Sequence, residues 1–207
     1  MKKYVNLFVF VFMIGACLSQ GRAQTKSAVS YKNPVVDIAM PDPTVIKAAD
    51  GYFYVYATES TRNVPIMKSK DLVEWTYCNT AFTNKTRPRF EPKAGIWAPD
   101  INYINGKYVL YYAMSVWGGE QTCGIGVATA NSPQGPFTDH GKMFRSNEIG
   151  VQNSIDPSLL QYEGRNYLVW GSFRGIYVIE LTADGLSIMS GAKKKRIAGT
   201  AFEAVYI

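Results

Sequence analysis

An all-β fold built from repeated sheets is predicted by three observations. Four times a carboxylate stands just before a short apolar run: Pro41-Asp42-Pro43-Thr44-Val45, Pro99-Asp100-Ile101, Ile155-Asp156-Pro157-Ser158-Leu159 and Phe202-Glu203-Ala204-Val205. These acids, at 42, 100, 156 and 203, are spaced by 58, 56 and 47 residues, and self-similarity near 50 residues with short strands indicates a β-propeller rather than a sandwich. The first three runs lead into a Gly turn and an aromatic-rich strand, the strongest short-range hairpin signal. No helix-period segment of useful length follows the amino-terminal region.

The elements follow in order. Met1-Lys2-Lys3 and the apolar run Val5 to Cys17 describe a bacterial export signal, too short for a spanning helix. Two processing sites compete. Ile14-Gly15-Ala16-Cys17 resembles a lipobox, which would make a lipidated Cys17 the mature start, and Gly21-Arg22-Ala23 fits an ordinary small-x-small site. Residues 1–23 are read as signal and 24–32 as linker; residues 33–207 form the propeller domain. Its first unit runs from Asp42 through Asp50-Gly51 into Tyr52 to Ala57, then Val64 to Lys68, a turn at Ser69-Lys70-Asp71-Leu72, and Trp75. The second has Asn105-Gly106, Tyr108 to Tyr112, Gly124 to Ala128 and the turn Ser132-Pro133-Gln134-Gly135-Pro136-Phe137. The third has Glu163-Gly164, Tyr167 to Trp170 and Ile176 to Ile179 before Asp184-Gly185. These strands are apolar on both faces, as expected of sheets sandwiched between neighbours. The fourth unit reaches Tyr206-Ile207 inside its first strand. The chain therefore reads as the amino-terminal part of a longer protein, expected by itself to expose sheet edges, to aggregate and to show no turnover.

Composition narrows the function classes. The 207 residues carry a net charge of +6, including Lys2 and Lys3; removing those two leaves 6 − 2 = +4. The dense basic run Lys193-Lys194-Lys195-Arg196 has no wider basic face beside it and reads as a solvated hairpin end, so nucleic acid is excluded as a partner. Beyond Cys17 only Cys78 and Cys123 remain. They could pair in an oxidising compartment, but two cysteines make no disulfide framework, and unpaired structural thiols are expected. The 14 Tyr and 4 Trp fit sheet packing first and sugar stacking second.

The runs PDPTV, VPIMKSKDLVEW, WAPDI, ANSPQGPF, NSIDPSLL, WGSFRGI and AFEA closely resemble glycoside hydrolase family 43. Within it they look most like the arabinan endo-1,5-α-L-arabinanases. The resemblance spans about Asn33 to Ile207. It implies a five-bladed propeller, represented here by about three blades and the start of a fourth, with its active site at one end of the axis and inversion of anomeric configuration. The implied substrate is arabinan, a plant cell-wall polysaccharide. Exo-acting α-L-arabinofuranosidase or β-xylosidase activity is the alternative within the family, and a non-catalytic carbohydrate-binding propeller is the alternative outside it. An exported protein is implied, whether periplasmic, extracellular or held at the cell surface through Cys17.

By the same resemblance Asp42 is the general base, Asp156 the pKa-modulating carboxylate and Glu203 the general acid. Inversion needs one carboxylate to activate water and a carboxylic acid on the opposite side to protonate the leaving oxygen. The acid must keep its proton near neutral pH, and a third carboxylate nearby favours this by like-charge repulsion. Each Asp before Pro would otherwise read as a turn residue; their motifs reverse that. The family usually has Gly after the acid, where this chain has Ala204. Asp100 sits in the second repeat, but the family's WAPD motif supplies no catalytic acid there, so its role is architectural. Trp97 is a candidate sugar-stacking platform, against a core reading. Ser115, Asn153, Ser154 and Ser172 are candidates for hydrogen bonds to substrate hydroxyls or to the carboxylates. His140, the one histidine, is expected in an exposed loop. Family members often hold a calcium or similar ion near the axis, helped by a His from a late blade; no acidic ligand loop appears here, and no metal is assigned.

Overall fold

In a computed structural model, residues 30–207 are described; the expected export signal and its two candidate processing sites lie outside the described residues. Among the described residues, twelve strands form three four-stranded antiparallel sheets, each in simple sequence order. The first holds β1 (Thr44–Lys47), β2 (Phe53–Tyr56), β3 (Pro65–Ser69) and β4 (Thr76–Thr80). The second holds β5 (Gly95–Ile104), β6 (Lys107–Ser115), β7 (Gly124–Ala130) and β8 (Thr138–Arg145). The third holds β9 (Ser158–Tyr162), β10 (Arg165–Ser172), β11 (Gly175–Glu180) and β12 (Lys195–Ala198). A single helical turn, α1 (Ser146–Ile149), follows β8. No described helix is long and apolar enough to cross a membrane.

The turns follow from their residues. Asn105 and Gly106 both have positive φ, 48° and 82°, as do Glu163 and Gly164, 48° and 74°. Each pair closes a two-residue hairpin, the geometry whose twist matches flanking strands. Asp50-Gly51 closes a longer loop instead. The Ala48 N–H donates to Tyr52 O at 2.8 Å, only Gly51 has positive φ, and the Asp50 carboxylate accepts from Tyr52 N–H and Tyr54 O–H.

Strand β6 explains why the strands are apolar on both faces. Tyr108, Leu110, Tyr112 and Met114 pack with Tyr54, Tyr56, Val64 and Ile66 of the first sheet. The alternate residues Val109 and Tyr111 pack with Leu159, Leu168, Trp170 and Ile179 of the third. One strand thus serves two cores, with its period-2 alternation dividing side chains between neighbouring sheets. Its tyrosines satisfy their hydroxyls: Tyr111 donates to Gly185 O at 2.8 Å and Tyr112 to Asp139 Oδ1 at 2.5 Å. Gly126 on β7 makes room for Tyr112; a Cβ there would lie 2.3 Å from the phenol oxygen.

The structure corrects the repeat. Asp42, Ala98 and Asp156 share a left-handed backbone, φ 48°, 41° and 56°, each followed by Pro, and Ala204 at 58° continues the series. The counterpart of Asp42 and Asp156 in the second sheet is therefore Ala98. Asp100 lies two residues further on, inside β5, past a bulge that sets Trp97 opposite Ala113 and Asp100 opposite Tyr111. Each unit also has a fourth, outer strand that its sequence conceals. Residues 202–207, expected to begin a strand, have no ladder partner among the described residues and adopt no regular structure. His140 lies on β8 and is exposed, rather than in a loop. Lys195 and Arg196 occupy the exposed strand β12. Cys78 and Cys123 are free thiols.

Candidate active site

The left-handed positions point their residues toward one end of the sheets. Here a cleft of about 470 Å³ is lined by Asp42, Asp156 and Glu203, with Thr58, Trp97, Ser115, Trp117, Glu120, Asn153 and Phe173 among the other walls. A smaller cavity of about 190 Å³ lies behind it, lined by Asp42, Ala98, Asp100, Asp156 and Ala204. Asp42, Asp156 and Ala204 belong to both linings and separate the two spaces. A left-handed residue between Pro and strand turns the chain sharply, and its side chain leaves the sheet face that β1 or β9 would otherwise impose.

The three carboxylates meet different surroundings. Asp42 is exposed to the cleft, and its Oδ2 accepts the Thr58 hydroxyl at 2.6 Å. Glu203 is exposed on the opposite segment. Asp156 is half-buried, and its Oδ2 accepts the Ala204 N–H at 2.9 Å, so it holds the residue beside Glu203. Its pKa is pushed up to about 6: burial acts most, the Ala204 N–H opposes it, and the charges of Glu203 and Asp42 add to the rise. Like charges in one cleft favour a proton remaining on one of them.

Asp100 stands apart. It is buried, lines the smaller cavity, and its Oδ2 accepts from the Leu159 N–H at 2.8 Å and from Asn102 Nδ2 at 2.7 Å. Thr44, its counterpart in the first sheet, accepts the Ile101 N–H at 3.4 Å. The two contacts are the same tie made twice, from one sheet to the next. Burial pushes the Asp100 pKa up to about 6 against the opposing hydrogen bonds.

Trp97 is half-buried and lines the cleft, tilted by 50° against Trp117 with ring centroids 5.5 Å apart. Trp117, missed in the sequence, is 94% exposed on the β6–β7 loop. An indole so exposed stays in place through its partner and offers an apolar face to a ring. Phe173 stands on the β10–β11 turn as a second exposed aromatic wall. Glu120 does not present a free charge, since Arg174 and Gln152 Nε2 both engage its Oε2. Its pairing joins the β6–β7 loop to the β10–β11 turn across the cleft rim.

The four polar candidates separate. Ser115 lines the cleft, with its hydroxyl donating to Val116 O at 3.1 Å. Asn153 also lines it, and its Nδ2 donates to Ser172 Oγ at 2.8 Å. Ser154 and Ser172 are fully buried and outside the cleft lining. Ser154 donates to Val151 O and accepts from Trp170 Nε1, while Ser172 orients Asn153. Both hydroxyls thus stand behind the cleft wall rather than on it. Among the described residues, no group of three or more His, Cys, Asp or Glu is placed to hold a metal ion.

The glycosyl hydrolases family 43 pattern matches residues 31–207. The chain belongs to glycosyl hydrolases family 43. It is 38% identical over 140 residues to the extracellular endo-α-(1→5)-L-arabinanase 1 of Bacillus subtilis (strain 168), covering 64% of this chain and 43% of that protein. It is 32% identical over 137 residues to the arabinan endo-1,5-α-L-arabinosidase A of Aspergillus niger, covering 64% and 41%. The chain thus spans less than half the length of these family-43 relatives. Among solved structures, a GH43 endo-arabinanase from Bacillus licheniformis superposes with a TM-score of 0.71 at 30% identity, covering 82% of this chain and 61% of that one. A Cellvibrio cellulosa α-L-arabinanase complexed with arabinohexaose gives 0.68 at 28% identity, covering 78% and 54%. The family-43 assignment agrees with an all-β architecture of antiparallel sheets, as found here.

Proposed function

We propose that the protein is an exported glycoside hydrolase that cleaves α-1,5-L-arabinofuranosyl linkages in arabinan with inversion. The observation that carries this reading is the convergence of Asp42, Asp156 and Glu203 on one cleft walled by Trp97 and Trp117. The names of the family-43 relatives support the substrate. Three sheets that match a little over half of the solved arabinanase chains support a ring of five blades, of which these would be three. Export is supported by the basic start and apolar run before Cys17 and by an extracellular relative.

In this reading an arabinose ring stacks on the indoles while its glycosidic oxygen faces Glu203. Asp42 takes a proton from a water molecule, which attacks the anomeric carbon from the side opposite the leaving group. Glu203 gives its proton to the departing oxygen, so that atoms and charge balance over the step. Asp156 contributes its charge beside Glu203 and ties the Glu203-Ala204 segment through the Ala204 N–H.

The test is incubation of the intact protein with debranched arabinan, following product sizes and the anomeric configuration of the first product. A ladder of oligosaccharides with inverted anomers is expected. A likeness to an exo-1,5-α-L-arabinanase, at 29% identity and a TM-score of 0.65, favours exo action as the second reading. Release of a single small product from chain ends selects it. Binding of arabinan without turnover would instead identify a non-catalytic propeller.

A further inference from the structure

Thr58 and Glu59 lie just after β2, and they bind two separate backbone segments at the cleft. The Thr58 N–H donates to Pro41 O at 2.9 Å and the Glu59 N–H to Ile96 O at 3.1 Å. The Ala98 N–H donates to Thr58 Oγ1 at 2.7 Å, and the Thr58 hydroxyl donates to Asp42 Oδ2 at 2.6 Å. A hydroxyl has one proton. Since its oxygen already accepts the Ala98 N–H, the geometry commits that proton to Asp42. Among the described residues, Thr58 is the one hydrogen-bond donor found on the Asp42 carboxylate.

The brace behind Thr58 is rigid. Arg87 forks onto both oxygens of Glu59, and both side chains are more than nine-tenths buried. Glu59 also accepts the Ile96 N–H at 3.0 Å and the Asn63 N–H at 2.8 Å. Burial alone would raise the Glu59 pKa; the Arg87 guanidinium and these two N–H groups outweigh it and hold it below the ordinary carboxylate value. The Ala98 N–H is aimed by its left-handed backbone, φ 41°. Thr58 therefore transmits the position of the second sheet to a carboxylate on the first.

We propose that Thr58 is a positioning residue for Asp42, fixing Oδ2 so that the other oxygen, Oδ1, is presented to the attacking water. The proposal rests on the reading of Asp42 as the base. A donor locked on one oxygen restricts rotation of the carboxylate about its Cβ–Cγ bond, and orientation at this scale is worth about 10²-fold in rate. With its proton on Asp42 the hydroxyl can meet a sugar only as an acceptor.

The experiment compares Thr58→Val, Thr58→Ala and Thr58→Ser in the intact protein on a soluble arabino-oligosaccharide, with thermal midpoints measured alongside. Loss of kcat by about 10–100-fold with KM within about twofold is expected for the Val and Ala variants. The Ser variant, which keeps the hydroxyl, is expected to recover kcat to within a few-fold. If the Val variant does not fold, the Ala variant carries the same comparison with Ser. Unchanged kcat in the Val or Ala variants would overturn the proposal, as would equal losses for Ser and Ala. A rise in KM at constant kcat would also overturn it and make Thr58 a sugar contact. Asp42→Asn separates the two readings: full activity in that variant removes the base itself, whereas an inactive Asp42→Asn beside an unaffected Thr58→Val removes only the positioning role.

Discussion

Asp42 and Glu203 are exposed to the same cleft from different segments, while Asp156 is half-buried between them. Asp42→Asn and Glu203→Gln are each expected to lower kcat on arabinan by at least about 10²-fold, the scale of acid–base catalysis by one group. Thermal midpoints should barely move, because neither side chain is buried. Steady-state rates with matched melting curves check this. Trp117→Ala should act differently. Losing one stacked ring removes about 0.5–1.5 kcal/mol of binding, so KM should rise about two- to tenfold with kcat nearly unchanged. Equal losses in kcat would show that Trp117 shapes the reacting groups rather than the sugar. The three carboxylates that meet in the cleft were legible in the sequence because each sits in a local motif. Thr58 and Trp117 were not, because their significance lies in contacts 16 and 20 residues away, Thr58 with Asp42 and Trp117 with Trp97.

At the scale of elements, sheets are held to one another by a few polar ties set among apolar cores. The Arg87–Glu59 pair is the most committed of these. Breaking a buried ion pair by removing one partner costs about 3–5 kcal/mol, because the other charge is left uncompensated. Arg87→Met should therefore shift the urea midpoint strongly, and the double variant Arg87→Met with Glu59→Gln should recover part of the loss. The inner strands β2, β6 and β10 were readable from aromatic and branched residues behind hairpin turns. The outer strands β4, β8 and β12 were not. Thr76–Thr80 and Lys195–Ala198 are largely exposed and polar, and a strand that buries little leaves no hydrophobic period to read. Asp100 was misplaced for a different reason: the position equivalent to Asp42 and Asp156 carries Ala98, and a repeat counted on carboxylates passes over an alanine.

For the molecule as a whole, two carboxylates, Asp100 buried and Asp156 half-buried, set a pH dependence. Asp100 and Asp156 both rise from 3.8 to about 6 in the folded chain. An acid with a raised folded pKa binds its proton more tightly folded than unfolded. The stability it contributes is fully present below about 3.8 and is lost as pH rises through about 6. Denaturation midpoints are expected to fall between pH 4 and 6.5, and the slope should flatten in Asp100→Asn. That variant still presents an oxygen to the Leu159 N–H. A slope unchanged in Asp100→Asn would assign the effect to other groups.

The ring of left-handed residues has a consequence for the limits of stability. A non-glycine side chain in that conformation costs about 1–2 kcal/mol, somewhat less for Asp than for Ala. At Ala98 and Ala204 no chemistry requires the Cβ, and Ala204 stands where the family usually has Gly. Ala98→Gly and Ala204→Gly should each raise the thermal midpoint by a few degrees with activity intact. Asp42 and Asp156 occupy the same strained conformation, and under the proposed mechanism relief there would remove a carboxylate that turnover needs. Stability can be raised at Ala98 and Ala204, whereas at Asp42 and Asp156 the proposed reaction would keep a carboxylate in a conformation that costs stability.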